Sequence, residues 1–354
     1  GSSSVDVEVV PLLDAATTED KTVALTLATG LYGIQANAGS AMLTIEGYKP
    51  VRPADYTWSF TATPSDAIRT TLGKNAYADF PVLVRLPVSV SEKLQSADGT
   101  DLFFTDEDDA SLPFEVDTFN PSGTTLVWVK VPSLSSVTEI TGYFGGYANA
   151  DNDTTAVWTD YVGVWHMNEN ASSQTDRTGN GLTATTDDGV TYSLGEGAVG
   201  QSLYKSGILR TVNFFAEGND FTVSQNGWSF SGWYYWPEYD GKATANPFQK
   251  GVWGTDGWYL QHKPGNTPVA ERLIIVTKNA TTGGFPVKNC NKSWNYICGT
   301  YDGSKVMIYV NGILAYTYTK TFAQGSYPFI IGTVKGYADE TRVMRSVTTD
   351  DWAA

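Results

Sequence analysis

The chain has 354 residues, 13% of them aromatic, with 23 Lys and Arg against 38 Asp and Glu and a formal charge of −15. An acidic chain without a basic cluster repels phosphate backbones, which argues against nucleic acid as a partner, and no apolar run is long enough for membrane insertion. The length suits two or three domains, and short apolar runs broken by Gly, Thr, Ser and Asn, with no long 3.6-residue spacing, indicate an all-β protein.

Gly1-Ser2-Ser3-Ser4 reads as a linker or expression scar, with an export signal expected to have been cut away ahead of it. From residue 5 to 47, Val5, Val7 and Val9 alternate, as do Val23, Leu25 and Leu27, and Met42 and Thr44 alternate with Leu43 and Ile45. Glu19-Asp20 and the glycines between 30 and 39 supply turns. The string V-x-V-x-x-x-P-L-x-D-A-x-x-x-E-D-K-T-V-x-L-T-L, followed by A-M-L-T-I-E, is similar to the C-terminal half of a Calx-beta repeat. The resemblance implies the last strands of a β-sandwich without the acidic positions of its first half, so no calcium role passes to Glu19 or Asp20. Half a sandwich cannot bury its own face. Residues 1–50, which run into the Lys49-Pro50-Val51-Arg52-Pro53 linker, must therefore dock on a neighbour or be a truncated piece.

Residues 51–152 are expected to form a small β-sandwich, with strands at 56–61, 80–86, 102–105, 114–116, 125–131 and 139–144. The strings F-P-V-L-V-R-L, A-D-G-T-D-L-F-F-T-D, L-P-F-E-V-D, L-V-W-V-K-V-P-S-L and I-T-G-Y-F-G-G resemble a bacterial domain of unknown function that commonly precedes laminin-G-like domains in exported proteins. No activity comes with it. Asp98, Asp101, Asp106, Asp108 and Asp109 lack the spacing of an EF-hand and are expected to be a solvated acidic turn.

Residues 153–354 are expected to form a two-sheet jelly roll, with strands near 162–167, 229–236, 258–262, 273–277, 296–301, 306–310, 329–332 and 339–345. Tyr296, Cys298 and Thr300 alternate up to an Asp302-Gly303 turn, and Val306, Ile308 and Val310 alternate back to Asn311-Gly312, which is a β-hairpin. Cys290 and Cys298 sit where adjacent strands meet, and a cross-strand disulfide is favoured over two thiols in an exported protein. Two cysteines and two histidines, His166 and His262, argue against a conventional zinc site. The strings V-W-H-M-N-E at 164–169, D-R-T-G-N-G at 176–181, W-S-F-S-G-W at 228–233, the 294–312 hairpin and Y-A-D-E-T-R-V at 337–343 resemble the laminin-G-like, concanavalin A-like jelly roll. Tyr204-Lys205-Ser206-Gly207 departs from the Phe-Asp-Gly turn common in that family.

For chemistry, the string Glu-x-Asp-x-x-Glu that aims paired acids into a glycosidase groove does not occur. Asp339 and Glu340 are adjacent and are expected on opposite faces of a strand, and each histidine is expected to be a hydrogen-bonded structural residue. The laminin-G-like resemblance implies a structural Ca²⁺ held by Asp176 and Asp339, with Asn180 and Glu340. The alternative is that Asp176 caps a turn. With large aromatics on both faces of 229–236, some rings are expected to be exposed. Trp236, Tyr239, Trp253 and Asp256, with Gln261 and His262, form the candidate sugar site, because rings pack on pyranose C–H faces while carboxylates and amides bond hydroxyls. Trp228, Trp233 and Trp294 are expected in the core.

These readings describe a non-catalytic extracellular or cell-surface binding module of a larger exported bacterial protein, with a glycan or polysaccharide as ligand. The competing readings are an adhesive spacer that contacts protein partners and, behind it, a glycoside hydrolase or lyase.

Overall fold

The structure, a computed structural model, describes residues 21–26, 40–45, 53–97, 99, 101–146, 152–186, 191–206, 208–211, 227–236, 245–251, 257–263, 272–277, 280–281, 285–286, 292–319, 330–333 and 336–344. The chain divides into two compact units, Gly1–Asp55 and Tyr56–Ala354. In the first, Lys21–Thr26 pairs antiparallel with Ser40–Ile45, Val23 opposite Leu43. The expected strand at Val5 to Val9 lies outside the described residues.

The second unit opens with two three-stranded sheets. One orders Trp58–Ala62, Ile140–Phe144 and Leu102–Thr105; the other orders Tyr77–Leu86, Thr125–Leu134 and Phe114–Thr118. These are the six strands that the alternation predicts. Their inner faces bury Leu86, Leu102, Phe104, Phe114, Val127 and Val129 between the sheets. A helix, Asp66–Leu72, was not expected: it is too short for a legible apolar period, and Ser65 starts it by accepting from the Ile68 N–H. The acidic turn is partly as expected. Asp106 Oδ1 accepts from the Asp108 and Ala110 N–H groups, but Asp101 is 6% exposed and accepts from Gln95 N–H, so it is an internal brace and not a solvated side chain.

The rest of the unit is a jelly roll of an eight-stranded and a nine-stranded antiparallel sheet among the described residues. Trp228–Tyr235 lies in the middle of the eight-stranded sheet, between Trp294–Tyr301 and Gly336–Met344. Trp228, Phe230 and Tyr234 point inward with Trp165, Phe248, Leu260, Ile297 and Ile308. The 294–310 hairpin forms as expected, with Thr300 opposite Met307, and Asp302 Oδ1 closes its loop by accepting from the Ser304 and Lys305 N–H groups.

Two features of this architecture position the candidate site. Thr125–Leu134 is apolar on both faces. Val127, Val129 and Val131 fill the small sandwich, whereas Leu126 and Trp128 pack with Val157, Trp158, Tyr161, Val164 and Val199 of the jelly roll. The second feature is a β-bulge in Gly336–Met344. Arg342 sits opposite Ser231 and Asp339 opposite Trp233, so two residues, Glu340 and Thr341, share the space across from Gly232. Glu340 adopts φ 48.

Candidate functional site

The Phe114–Thr118 strand alternates, with Phe114 and Val116 packed in the small sandwich's core. That leaves Glu115 and Asp117 on the opposite face, against the jelly roll. There they meet His166, which follows the strand Tyr161–Trp165, and Glu340 of the bulge. His166 Nδ1 lies 2.8 Å from Glu340 Oε1 and 3.7 Å from Asp117 Oδ1, and its Nε2 lies 3.3 Å from Glu115 Oε2. Trp158 Nε1 donates to Glu115 Oε2 at 2.5 Å, Asn168 Nδ2 to Asp117 Oδ1 at 2.8 Å, and Arg342 Nη2 to Glu340 Oε2 at 2.7 Å. The Arg342 guanidinium stacks over Trp128 and Trp158 at 4.1 and 4.8 Å, which screens a cation from water with aromatic faces. Every carboxylate here is sealed: the side chains of Glu115, Asp117 and Glu340 are 7%, 2% and 3% exposed.

Burial and charge set the protonation. Burial alone would lower the His166 pKa, but Glu340, Glu115 and Asp117 outweigh it and hold it well above the usual imidazole value. Burial raises Asp117 to about 6, against the pull of His166. Glu340 resists its burial because His166 and Arg342 flank it, so its pKa falls below the ordinary range. Asp339 next to it is pushed well up by burial and by the Glu340 charge. The two adjacent acids are therefore pushed in opposite directions, Glu340 toward the anion and Asp339 toward the protonated acid.

The expectation that Asp339 and Glu340 face opposite sides of a regular strand does not hold in its simple form. The bulge breaks the two-residue period, and both side chains are interior, 0% and 2% exposed. Asp339 Oδ2 accepts from Val199 N–H at 2.8 Å. Asp176 takes the turn-capping role: its Oδ1 accepts from the Val164 and Thr178 N–H groups and its Oδ2 from Leu182 N–H. Asn180 is exposed and donates to the carbonyl of Val162. Asp176 thus spends both oxygens on its own loop and on the strand beside it.

Of the candidate sugar residues, Trp236 is 6% exposed and stacks on Tyr234 within the jelly-roll core. The expectation of an open ring there fails because its face is already covered. Gln261 is half-buried on the strand Gly257–Lys263, opposite Ile274, and the backbone of His262 pairs with Ala245 and Leu273. Tyr239, Trp253 and Asp256 lie outside the described residues. Trp228 is core as expected, while Trp233 and Trp294 are only half-buried. Cys298 is buried beside Tyr309, and Cys290 lies outside the described residues. Sequence reasoning missed Glu115, Asp117, Arg177, whose Nε lies 3.6 Å from Glu115 Oε1, and Arg342, because three separate stretches supply them. The one available signal was the Glu-x-Asp alternation at 115–117 on a strand whose other face is apolar.

The buried junction, the two-sheet core and the 294–310 hairpin together define the second block. Residues 211–352 match Laminin_G_3, the concanavalin A-like lectin/glucanases superfamily. Residues 98–178 match a domain of unknown function, DUF2341, and so carry Glu115, Asp117 and His166, whereas Glu340 and Arg342 belong to the laminin-G-like block. No curated protein matches the chain. Among solved structures the chain is similar to domain 4 of an extracellular arabinanase from Geobacillus stearothermophilus in complex with arabinotriose, at 20% identity and TM-score 0.42, covering 55% of this chain and 96% of that one. It is also similar to the botulinum neurotoxin serotype D binding domain, at 13% identity and TM-score 0.42, covering 55% and 50%. No helix among the described residues is long and apolar enough to cross a membrane.

Proposed function

We propose that the chain is a non-catalytic binding module of an exported protein, with carbohydrate as its ligand class. The burial of the carboxylates that the fold gathers carries this reading. The superfamily of the second block holds lectins and glucanases, and glycoside hydrolysis needs two carboxyl groups lining an open groove. Glu115, Asp117, Asp339 and Glu340 instead face His166, Arg342 and the backbone, away from solvent. The proposed ligand residues, read from the sequence, are Tyr239, Trp253, Asp256, Gln261 and His262, with the aromatic rings as stacking platforms. The test is a glycan array with the intact chain, repeated with Trp253→Ala and Asp256→Ala. A defined sugar hit that both variants lose supports the reading. A folded chain that binds nothing across a broad array overturns it in favour of a spacer, for which the tightly joined sandwiches are also suited.

A further inference from the structure

We propose that the open edge of Tyr77–Leu86 in the small sandwich binds an extended segment of another polypeptide, which joins that three-stranded sheet as a fourth strand. This inference is independent of the sugar reading. Tyr77–Leu86 is the end strand of its sheet, and among the described residues its ladder partner is Thr125–Leu134. The register decides which backbone groups face outward. Pro81 stands opposite Lys130, and Lys130 gives its N–H to the Pro113 carbonyl on the far side. Pro81 has no N–H to give, and the two-residue period turns Leu83 and Arg85 the same way. The Pro81 carbonyl and the N–H and carbonyl groups of Leu83 and Arg85 thus point away from the sheet. No hydrogen bond to these groups occurs among the described residues.

A cavity of about 910 Å³ runs along this edge and is lined from both faces of the strand. On the inner face, Val82 and Val84 line it with Ala62, Leu72 and Ile140, in the gap between the two sheets. On the outer face, Pro81, Leu83 and Arg85 line it with Trp128. An apolar molecule held in the gap between the sheets would meet the inner face alone. A strand laid along the edge reaches both faces, because its side chains alternate above and below the sheet. In such strand addition, main-chain bonds give affinity and pockets for alternate side chains give specificity.

The lining also sets the segment's chemistry. The inner lobe is apolar, and Ile68 of the helix Asp66–Leu72, 49% exposed, carries it to the surface. Every second residue of the segment is therefore apolar. In the outer lobe Arg85 is exposed, and no acid pairs with it among the described residues, so a carboxylate at an alternate position supplies its partner. Native sheets blunt a bare edge with proline and charge. Here Pro81 removes one donor and confines the pairing to the stretch from Pro81 to Arg85, roughly 13 Å of strand.

The experiment titrates a short fluorescein-labelled peptide of alternating valine and glutamate into the full chain at physiological salt, followed by polarisation. Amide exchange is measured with and without the peptide. The expected result is saturable binding with slower exchange at Leu83 and Arg85. A peptide with methylated backbone nitrogens, which keeps the side chains but cannot pair, is expected to bind at least about tenfold more weakly. Arg85→Glu, at an exposed position, is expected to weaken the glutamate peptide and strengthen its lysine counterpart, by about threefold each. No saturable binding by the folded chain, equal binding of the methylated peptide, or unchanged exchange at Leu83 and Arg85 would overturn the site. An Arg85→Glu variant that treats the two peptides as the unaltered chain does would overturn the acidic preference. Protection of the same amides that rises with chain concentration in the absence of peptide would overturn the peptide partner in favour of a second copy of the chain.

Discussion

At Glu340 a single carboxylate neutralises His166 on one oxygen and Arg342 on the other, at 2.8 and 2.7 Å. Removing one member of a buried ionic group leaves the others uncompensated, which costs more than the group's net contribution to folding. Glu340→Ala is expected to lower unfolding free energy by about 3 to 5 kcal/mol in urea titration. A change below about 1 kcal/mol would mean that the group is solvated. Asp176 is a different case, because its carboxylate serves backbone donors: Val164, Thr178 and Leu182 lose their acceptor in Asp176→Ala. The expected cost is about 1 to 3 kcal/mol by the same titration, from the N–H groups left buried without a partner. An unchanged midpoint would show that water replaces the carboxylate.

At the scale of elements, close packing is achieved by omitting side chains where rings must fit. A Cβ on Gly299 would stand 2.3 Å from the Phe230 ring, whose centroid is 3.8 Å from that of the tilted Phe248 ring across the two sheets. Gly299→Ala is therefore expected to destabilise by about 1 to 3 kcal/mol through overpacking, read as a lower chemical-denaturation midpoint; a neutral result would mean that Phe230 has room to turn. The Gly197 to Gly200 loop depends on glycine for two reasons. Gly200 has φ 61, and a Cβ there would reach Thr118 Oγ1 at 2.7 Å and Leu126 at 3.2 Å. Gly200→Val is expected to loosen the contact between the blocks, measured as faster amide exchange at Leu126 and Trp128; unchanged protection at those amides would show that the loop is not part of the joint.

At the scale of the molecule, the small sandwich and the jelly roll share a third apolar cluster, around Trp128 and Trp158, besides the core each has alone. Arg342 ties that cluster to the ionic one, reaching both rings and Glu340. Residues 56–354 are thus expected to unfold calorimetrically in one cooperative transition, and Arg342→Ala to separate it into two. Two transitions in the unaltered chain would mean that the joint is weaker than either core.

Local pattern was enough for the elements of this protein. The six strands of the small sandwich and the 294–310 hairpin follow from two-residue alternation, turn residues and β-branched content, all of which act between near neighbours. The buried direction of Trp236 and the bulge at Glu340 were not legible, because each depends on a strand distant in sequence: an aromatic period looks the same on an open face and in a core until the second sheet covers it. The ionic junction was the least legible feature. Glu115, Asp117, His166, Glu340 and Arg342 are unremarkable one by one, and only the docking of one sandwich on the other brings their charges within reach in a medium where water no longer screens them.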